Sequence, residues 1–243
     1  MSSTQGKQQL SLDKIPITKP FFNTEEEEAI LNVIRSGWLV QGPQVNNFEN
    51  KFKTFIGVRH ALATTSCTTA LHLALLAAGV KPDDEVLLPS FTFVATANAV
   101  EYIGAKPVLI DIDLNTFTIA PERIEEDLNR RHQSSNTKPR CMIPVSLFGL
   151  CADMKSINKI ATEHGILVIE DAACGLGAER KGHHAGTEAL AGVFSFHPRK
   201  SITTGEGGML VTNDDNLAEA VRKMRDHGAS KSDLERHLKE GGS

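Results

Sequence analysis

Short apolar runs alternate with longer amphipathic stretches from about residue 24 to residue 228. Thr24 followed by Glu27 reads as a capping box, and Ile30, Leu31, Val33 and Ile34 give a first helix its apolar face before Gly37 ends it. Val45, Phe48, Phe52 and Phe55 recur at helical spacing, and Gly57 closes this second helix. The pattern then predicts a strand over 60–65 (HALATT), a helix over 68–79, and buried strands over 85–89 (EVLLP) and 107–111 (PVLID). A helix over 121–131 starts with Pro121 in its first turn, a strand follows over 141–145 (CMIPV), and a helix over 152–165 runs from Asp153 as N-cap to Gly165 as C-cap. Strands are expected over 166–171 (ILVIED), 192–196 (GVFSF) and 208–212 (GMLVT), then a helix from Asp214 to His227 with Leu217, Val221 and Met224 on one face. Near-continuous apolar strands alternating with helices imply an α/β fold: a mainly parallel sheet sandwiched by helices. Residues 1–20 read as a polar N-terminal extension, 21–228 as one large domain, 132–140 (HQSSNTKPR) as a surface loop, and 229–243 as a segment with no evident core face.

Composition narrows the functional classes. Of the 243 residues, 40% are hydrophobic and 23% charged, with a net charge of -4, so no basic surface for nucleic acid or anionic lipid is expected. The apolar runs are too short to cross a bilayer. Cys67, Cys141, Cys151 and Cys174 form no C-x-x-C pair, which argues against a disulfide framework or a structural zinc site and fits a reducing, cytoplasmic setting.

In parallel sheets ligands bind beyond the carboxyl ends of the strands, so the residues that follow each strand are the ones to read. After 60–65 come Ser66, Cys67, Thr68 and Thr69, and a helix begins at once. Free N–H groups and hydroxyls there suit a phosphate, although Ser and Thr are equally ordinary helix caps. After 166–169 come Glu170 and Asp171. A carboxylate at the end of a buried strand needs a cation, which a protonated pyridine nitrogen would provide; the alternative is an Asp that caps the next turn. After 192–196 comes His197-Pro198-Arg199-Lys200-Ser201, then a glycine-rich turn. Lys200 is either a surface lysine or an amine nucleophile. A phosphate cradle, a pyridinium partner and an amine nucleophile together are what pyridoxal 5′-phosphate (PLP) requires.

On these stretches the chain resembles the DegT/DnrJ/EryC1/StrS sugar aminotransferases, within the aspartate-aminotransferase-like fold (type I) of PLP enzymes. The resemblance runs from about Pro20 to His227. It is carried by GWLVQGPQVNNFENKF (37–52), TTSCTTALHLAL (64–75), DEVLLPSFTFVATANAV (84–100), VIEDAACGLGA (168–178) and, most specifically, FSFHPRKSITTGEGGML (194–210). The family identity implies that Lys200 holds PLP and acts as the catalytic base, that Asp171 pairs with the pyridine nitrogen, and that Phe93 stacks on the ring. It also implies that Cys67, Thr68 and Ser195 bind the phosphate, while Cys174 stands where relatives often carry Gln or His near the ring oxygen. Trp38 and Gln41 to Pro43 match a segment that lines the sugar site. The implied substrates are an amino-acid donor, often glutamate, and a nucleotide-linked ketosugar, with a homodimer as the full-length assembly. Relatives continue into a small C-terminal domain, so residues 229–243 are expected to be its truncated start.

Two readings compete. Sugar dehydratases of the family replace the anchoring lysine with histidine, and Lys200 favours transamination. A non-catalytic protein of the same fold stays open; a nucleotide-binding domain is disfavoured, because the phosphate turn lacks glycines. Asp111 and Asp113 read as a strand end and turn, and His183-His184 as a surface turn in a hairpin-like stretch, so no metal site is expected.

Overall fold

The computed structural model describes residue 16, residues 18–134 and residues 138–229. The expectations for residues 1–14, and for the tail from residue 230 on, lie outside the described residues.

Helix α1 (Thr24–Ser36) starts at Thr24, the residue expected to cap it. Asn23, not Thr24, is the N-cap: its side chain accepts from Glu25 N at 2.7 Å, and Glu26 reaches back to Asn23 N at 2.7 Å. An Asn side chain is as good a cap as any, and here it completes a capping box with Glu26. Helix α1 buries none of its residues; Ile30 is 61% and Ile34 59% exposed, so its apolar face is open. Helix α2 (Pro43–Ile56) follows, burying Phe52 and Ile56 and leaving Phe55 exposed.

The strands are β1 (His60–Thr64), β2 (Glu85–Pro89), β3 (Lys106–Ile110), β4 (Cys141–Met142), β5 (Leu167–Asp171), β8 (Ala191–Ser195) and β9 (Gly208–Thr212), in the order β1-β9-β8-β5-β4-β2-β3. A two-stranded hairpin of β6 (Glu179–Arg180) and β7 (His183–His184) stands apart. Within the seven-stranded sheet only β9 runs against its neighbours, β1 and β8, and the other pairings are parallel. Strand β4 is shorter than its apolar run suggested. Pro144 carries no donor, so the ladder stops after Ile143 N donates to Leu87 O at 2.7 Å, and resumes as a single bridge between Val145 and Asp171.

Helices α3 (Cys67–Ala77), α4 (Ala95–Glu101), α5 (Pro121–Ser134), α6 (Met154–His164) and α7 (Asp215–Arg225) complete the layers. Alternate residues of each strand feed opposite faces. Val86, Leu88, Ile143 and Ile169 pack with α3, α4 and α7, whereas Leu87, Met142 and Val168 pack with α5 and α6. A third cluster sets Phe52 of α2 against Phe194 and Phe196, with ring centroids 5.2 and 5.8 Å apart. Helix α5 continues into the stretch expected to be loop, through Ser134. Helix α4 was absent from the sequence expectation because Val94 caps it without a side-chain bond, leaving no polar start signal.

Phe194 is fully buried where α2 meets the sheet. Phe194→Ala is expected to destabilise the protein by roughly 3–5 kcal/mol, seen as a lower denaturation midpoint in urea. A change below about 1 kcal/mol would contradict this packing.

Candidate active site

Strand alternation separates the two adjacent acids at the end of β5. Glu170 points to one face of the sheet and Asp171 to the other. Glu170 is 1% exposed; Ser146 Oγ donates to its Oε1 at 2.5 Å and Gly186 N to its Oε2 at 2.8 Å. Ser146 Oγ in turn accepts from Ala152 N at 3.1 Å. This acid ties the loop after β4 to the turn before β8. Burial pushes its carboxyl up to about 7, against the pull of the two hydrogen bonds.

Asp171, 5% exposed, faces the carboxyl edge of the sheet. Thr96 Oγ1 donates to its Oδ2 at 2.8 Å and Ala173 N to its Oδ1 at 3.1 Å. Thr96 is itself fully buried, and Thr92 Oγ1 lies 2.9 Å from its hydroxyl. Burial raises the Asp171 carboxyl above its ordinary range, while these donors and the Lys200 charge oppose the rise. Thr92 and Thr96 had not been singled out in the sequence. Their signal was their place directly after a strand end, in SFTFVAT.

The connection between β8 and β9 delivers the amine. It is folded on itself: Lys200 N donates to His197 O at 2.8 Å, Thr203 Oγ1 to Phe196 O at 2.7 Å, and Thr204 N to the same carbonyl at 3.1 Å. His197 accepts from Arg199 N through Nδ1 at 3.2 Å, so one ring nitrogen serves the turn. Lys200 Nζ donates to Cys174 Sγ at 3.0 Å, and both residues are half-buried. Cys67 is held well above the ordinary thiol range, first by burial and then by the Asp171 charge, with Lys200 opposing and Cys174 adding to the rise. Cys67, Asp171, Cys174 and Lys200 therefore share one electrostatic neighbourhood.

At the start of α3, Ser66 caps the helix, accepting from Thr69 N through Oγ at 3.1 Å. The Cys67 and Thr68 N–H groups, in the first turn, have no intrahelical acceptor. A Cβ on Gly208 would sit 2.5 Å from Cys67 N and 2.5 Å from Ser66 C, so only glycine leaves this turn open. Gly208 is also paired with Ser195 across β8 and β9, which brings Ser195 beside the α3 N-terminus. Phe93 is 68% exposed; its carbonyl accepts from Thr96 N at 3.1 Å, and its ring stands out at the same edge.

The remaining candidates are placed as follows. Trp38 folds over the start of α2 and donates through Nε1 to Gln41 O at 3.1 Å. Asp113 Oδ1 accepts from Asn115 N at 2.6 Å, so this acid caps a turn as expected, and Asp111 is exposed. His183 and His184 form β7 of the hairpin, with His184 Nε2 3.3 Å from Glu179 Oε1.

A buried carboxylate, a partly buried amine and an open helix N-terminus at the carboxyl edge of one mainly parallel sheet define a type I PLP-fold architecture. Comparison with known proteins agrees. The sequence model of the DegT/DnrJ/EryC1/StrS aminotransferase family matches residues 21–241. The spore coat polysaccharide biosynthesis protein SpsC of Bacillus subtilis is 40% identical over 227 residues, which cover 93% of this chain and 57% of SpsC. A DegT/DnrJ/EryC1/StrS aminotransferase from Brucella abortus superposes with a TM-score of 0.82 at 35% identity, covering 87% of this chain and 57% of that one. NtdA from Bacillus subtilis, solved with bound cofactor PMP, gives a TM-score of 0.73 at 34% identity, covering 87% of this chain and 48% of that one. The chain belongs to the DegT/DnrJ/EryC1/StrS aminotransferase family, and it spans about half the length of these relatives.

The sign of the Glu170 shift fixes a pH dependence. Its pKa is raised in the folded protein from 4.5 to about 7, so the folded state keeps a proton that the unfolded chain releases. Stability is therefore highest below pH 4.5 for this group and falls as pH rises toward 7, by on the order of 3 kcal/mol. Asp171 contributes with the same sign. Glu170→Gln is expected to flatten the pH dependence of the urea midpoint across this window; an unchanged slope would contradict the assignment.

Proposed function

We propose that the protein is a PLP-dependent aminotransferase that moves an amino group from an amino acid, glutamate in the first instance, to a nucleotide-linked ketosugar in amino-sugar biosynthesis. The single observation that carries the reading is the shared neighbourhood of Asp171, Lys200 and the Ser66–Thr68 turn. The residues fit the cofactor on three counts. The Asp171 carboxylate is buried with neutral donors on both oxygens and accommodates a cationic ring nitrogen. The Lys200 amine stands free of any carboxylate partner among the described residues, its Nζ bonded to a thiol. The α3 N-terminus is a cradle that a Cβ at position 208 would fill.

PLP, when bound, supplies an electrophilic carbonyl carbon and an electron-accepting ring. Lys200 Nζ would hold PLP covalently, and the same amine, when free, would carry a proton to or from the donor's α-carbon. Asp171 would pair with the protonated ring nitrogen, and Thr96 with the Ala173 N–H holds the carboxylate in place to accept from it. The Cys67 and Thr68 N–H groups and the Ser195 and Thr68 hydroxyls would hold the phosphate, where the α3 dipole favours negative charge. Phe93 would stack on the ring. Cys174, bonded to the Lys200 amine, would stand near the ring oxygen. SpsC, whose name places it in polysaccharide biosynthesis, supports a sugar acceptor.

Lys200→Ala is expected to abolish both the visible absorbance of added PLP bound to the protein and amine transfer from glutamate to a panel of nucleotide ketosugars, followed by product mass. Asp171→Asn should weaken PLP binding by roughly tenfold or more, because a buried charge pair loses one partner. Normal turnover in the Lys200 variant would end the proposal.

A further inference from the structure

Cys174 Sγ and Lys200 Nζ are 3.0 Å apart, on two different strand-end loops. Both are half-buried. Gly149 N is bonded to the Cys174 carbonyl, and the Cys174 side chain meets the amine. We propose that Cys174 and Lys200 form an oxidation-sensitive pair, in which hydrogen peroxide drives a covalent bond between Cys174 Sγ and Lys200 Nζ.

The chemistry balances in two steps. The Cys174 thiolate attacks one peroxide oxygen, the O–O bond breaks, and the hydroxide that leaves takes up the thiol proton as water, giving a sulfenic acid. The neutral Lys200 amine then attacks the sulfur: the S–N bond forms, the S–O bond breaks, and the hydroxyl departs with one amine proton as a second water. Sulfur is oxidised by two electrons and one peroxide is reduced to two waters. Cys67 is the competing nucleophile in the neighbourhood. Burial and the Asp171 charge keep its thiol protonated, and the group in hydrogen-bond contact with Cys174 Sγ is the amine.

The crosslink depends only on the two side chains. Its consequence rests on the PLP reading: a Lys200 nitrogen bonded to sulfur is no longer a primary amine and cannot anchor the cofactor. A thiol reductant that cleaves the S–N bond restores it, so the pair would couple cofactor loading to peroxide.

The test treats the full 243-residue chain, without added cofactor, with hydrogen peroxide and maps its peptides by mass. The expected product joins the peptides of Cys174 and Lys200 and is lighter than their sum by two hydrogens. Dithiothreitol separates it, Cys174→Ser prevents it, and Cys67→Ala leaves it intact. In a second arm PLP is added after oxidation: most of the visible absorbance is lost, then regained after dithiothreitol, whereas the absorbance of Cys174→Ser, whatever its starting level, is the same with and without prior peroxide. Oxidation that stops at sulfinic acid with Lys200 free, a disulfide between Cys67 and Cys174, or unmodified side chains would each overturn the proposal. A crosslink in a chain that never binds PLP would leave the oxidation pair standing and overturn the cofactor reading instead.

Discussion

A buried carboxylate bonded to neutral donors is the constraint around which the site is organised. Asp171 sits at the end of a central strand, nearly out of water, with hydrogen bonds from Thr96 and Ala173. Two neutral donors soften the cost of burial without cancelling it, and the carboxyl stays above its ordinary range. The neighbour on the other face of the strand shows the contrast. Glu170 is equally buried, but its oxygens are taken up by Ser146 and by the Gly186 N–H, two groups that belong to the scaffold. One acid is used to fasten loops, and the other is held by Thr96 and Ala173 at the end of β5.

Sheet order explains how residues far apart in sequence meet there. The strands β1, β9, β8 and β5 are adjacent, and each contributes at the same edge. Strand β1 leads into the α3 N-terminus; Gly208 opens β9, pressed against the Ser66–Cys67 backbone; Ser195 ends β8, and Asp171 ends β5. Lys200 lies on the connection that reverses the chain between β8 and the antiparallel β9. A βαβ crossover at that point would carry the chain away over a helix, whereas a short reversal keeps the amine at the rim.

Most of this was legible from residue patterns, and the failures have physical causes. The apolar runs fixed the strands because buried parallel strands read as unbroken hydrophobic segments, so β2 and β9 match their expected limits. Glycine and Asp signals fixed the ends of α1, α2 and α6, since a left-handed C-cap and a side-chain N-cap are local. Helix α4 was missed because its start has no such signal, and β4 was overestimated because Pro144 interrupts the ladder inside an apolar run. Lys200, Asp171 and Ser66–Thr68 stood out because polar groups directly after apolar strands are costly. Thr96 did not, because nothing local tells a hydroxyl that orients a distant carboxylate from one that faces solvent. Nor could the sequence tell that Ile30 and Ile34 would face outward, since amphipathic spacing names a face without naming what covers it.

The hydroxyl chain behind Asp171 adds a direction to the site. An ionised carboxylate only accepts, so the Thr96 proton is committed to Asp171 Oδ2, and the 2.9 Å contact with Thr92 must then be a donation into Thr96. Each hydroxyl in this arrangement polarises the next toward the acid. If Asp171 took up a proton on Oδ2, it would become the donor, and the whole chain would have to turn round. The two threonines therefore favour the charged carboxylate that burial opposes. A cation facing Asp171 removes that conflict, since it stabilises the same state that the hydroxyls already select.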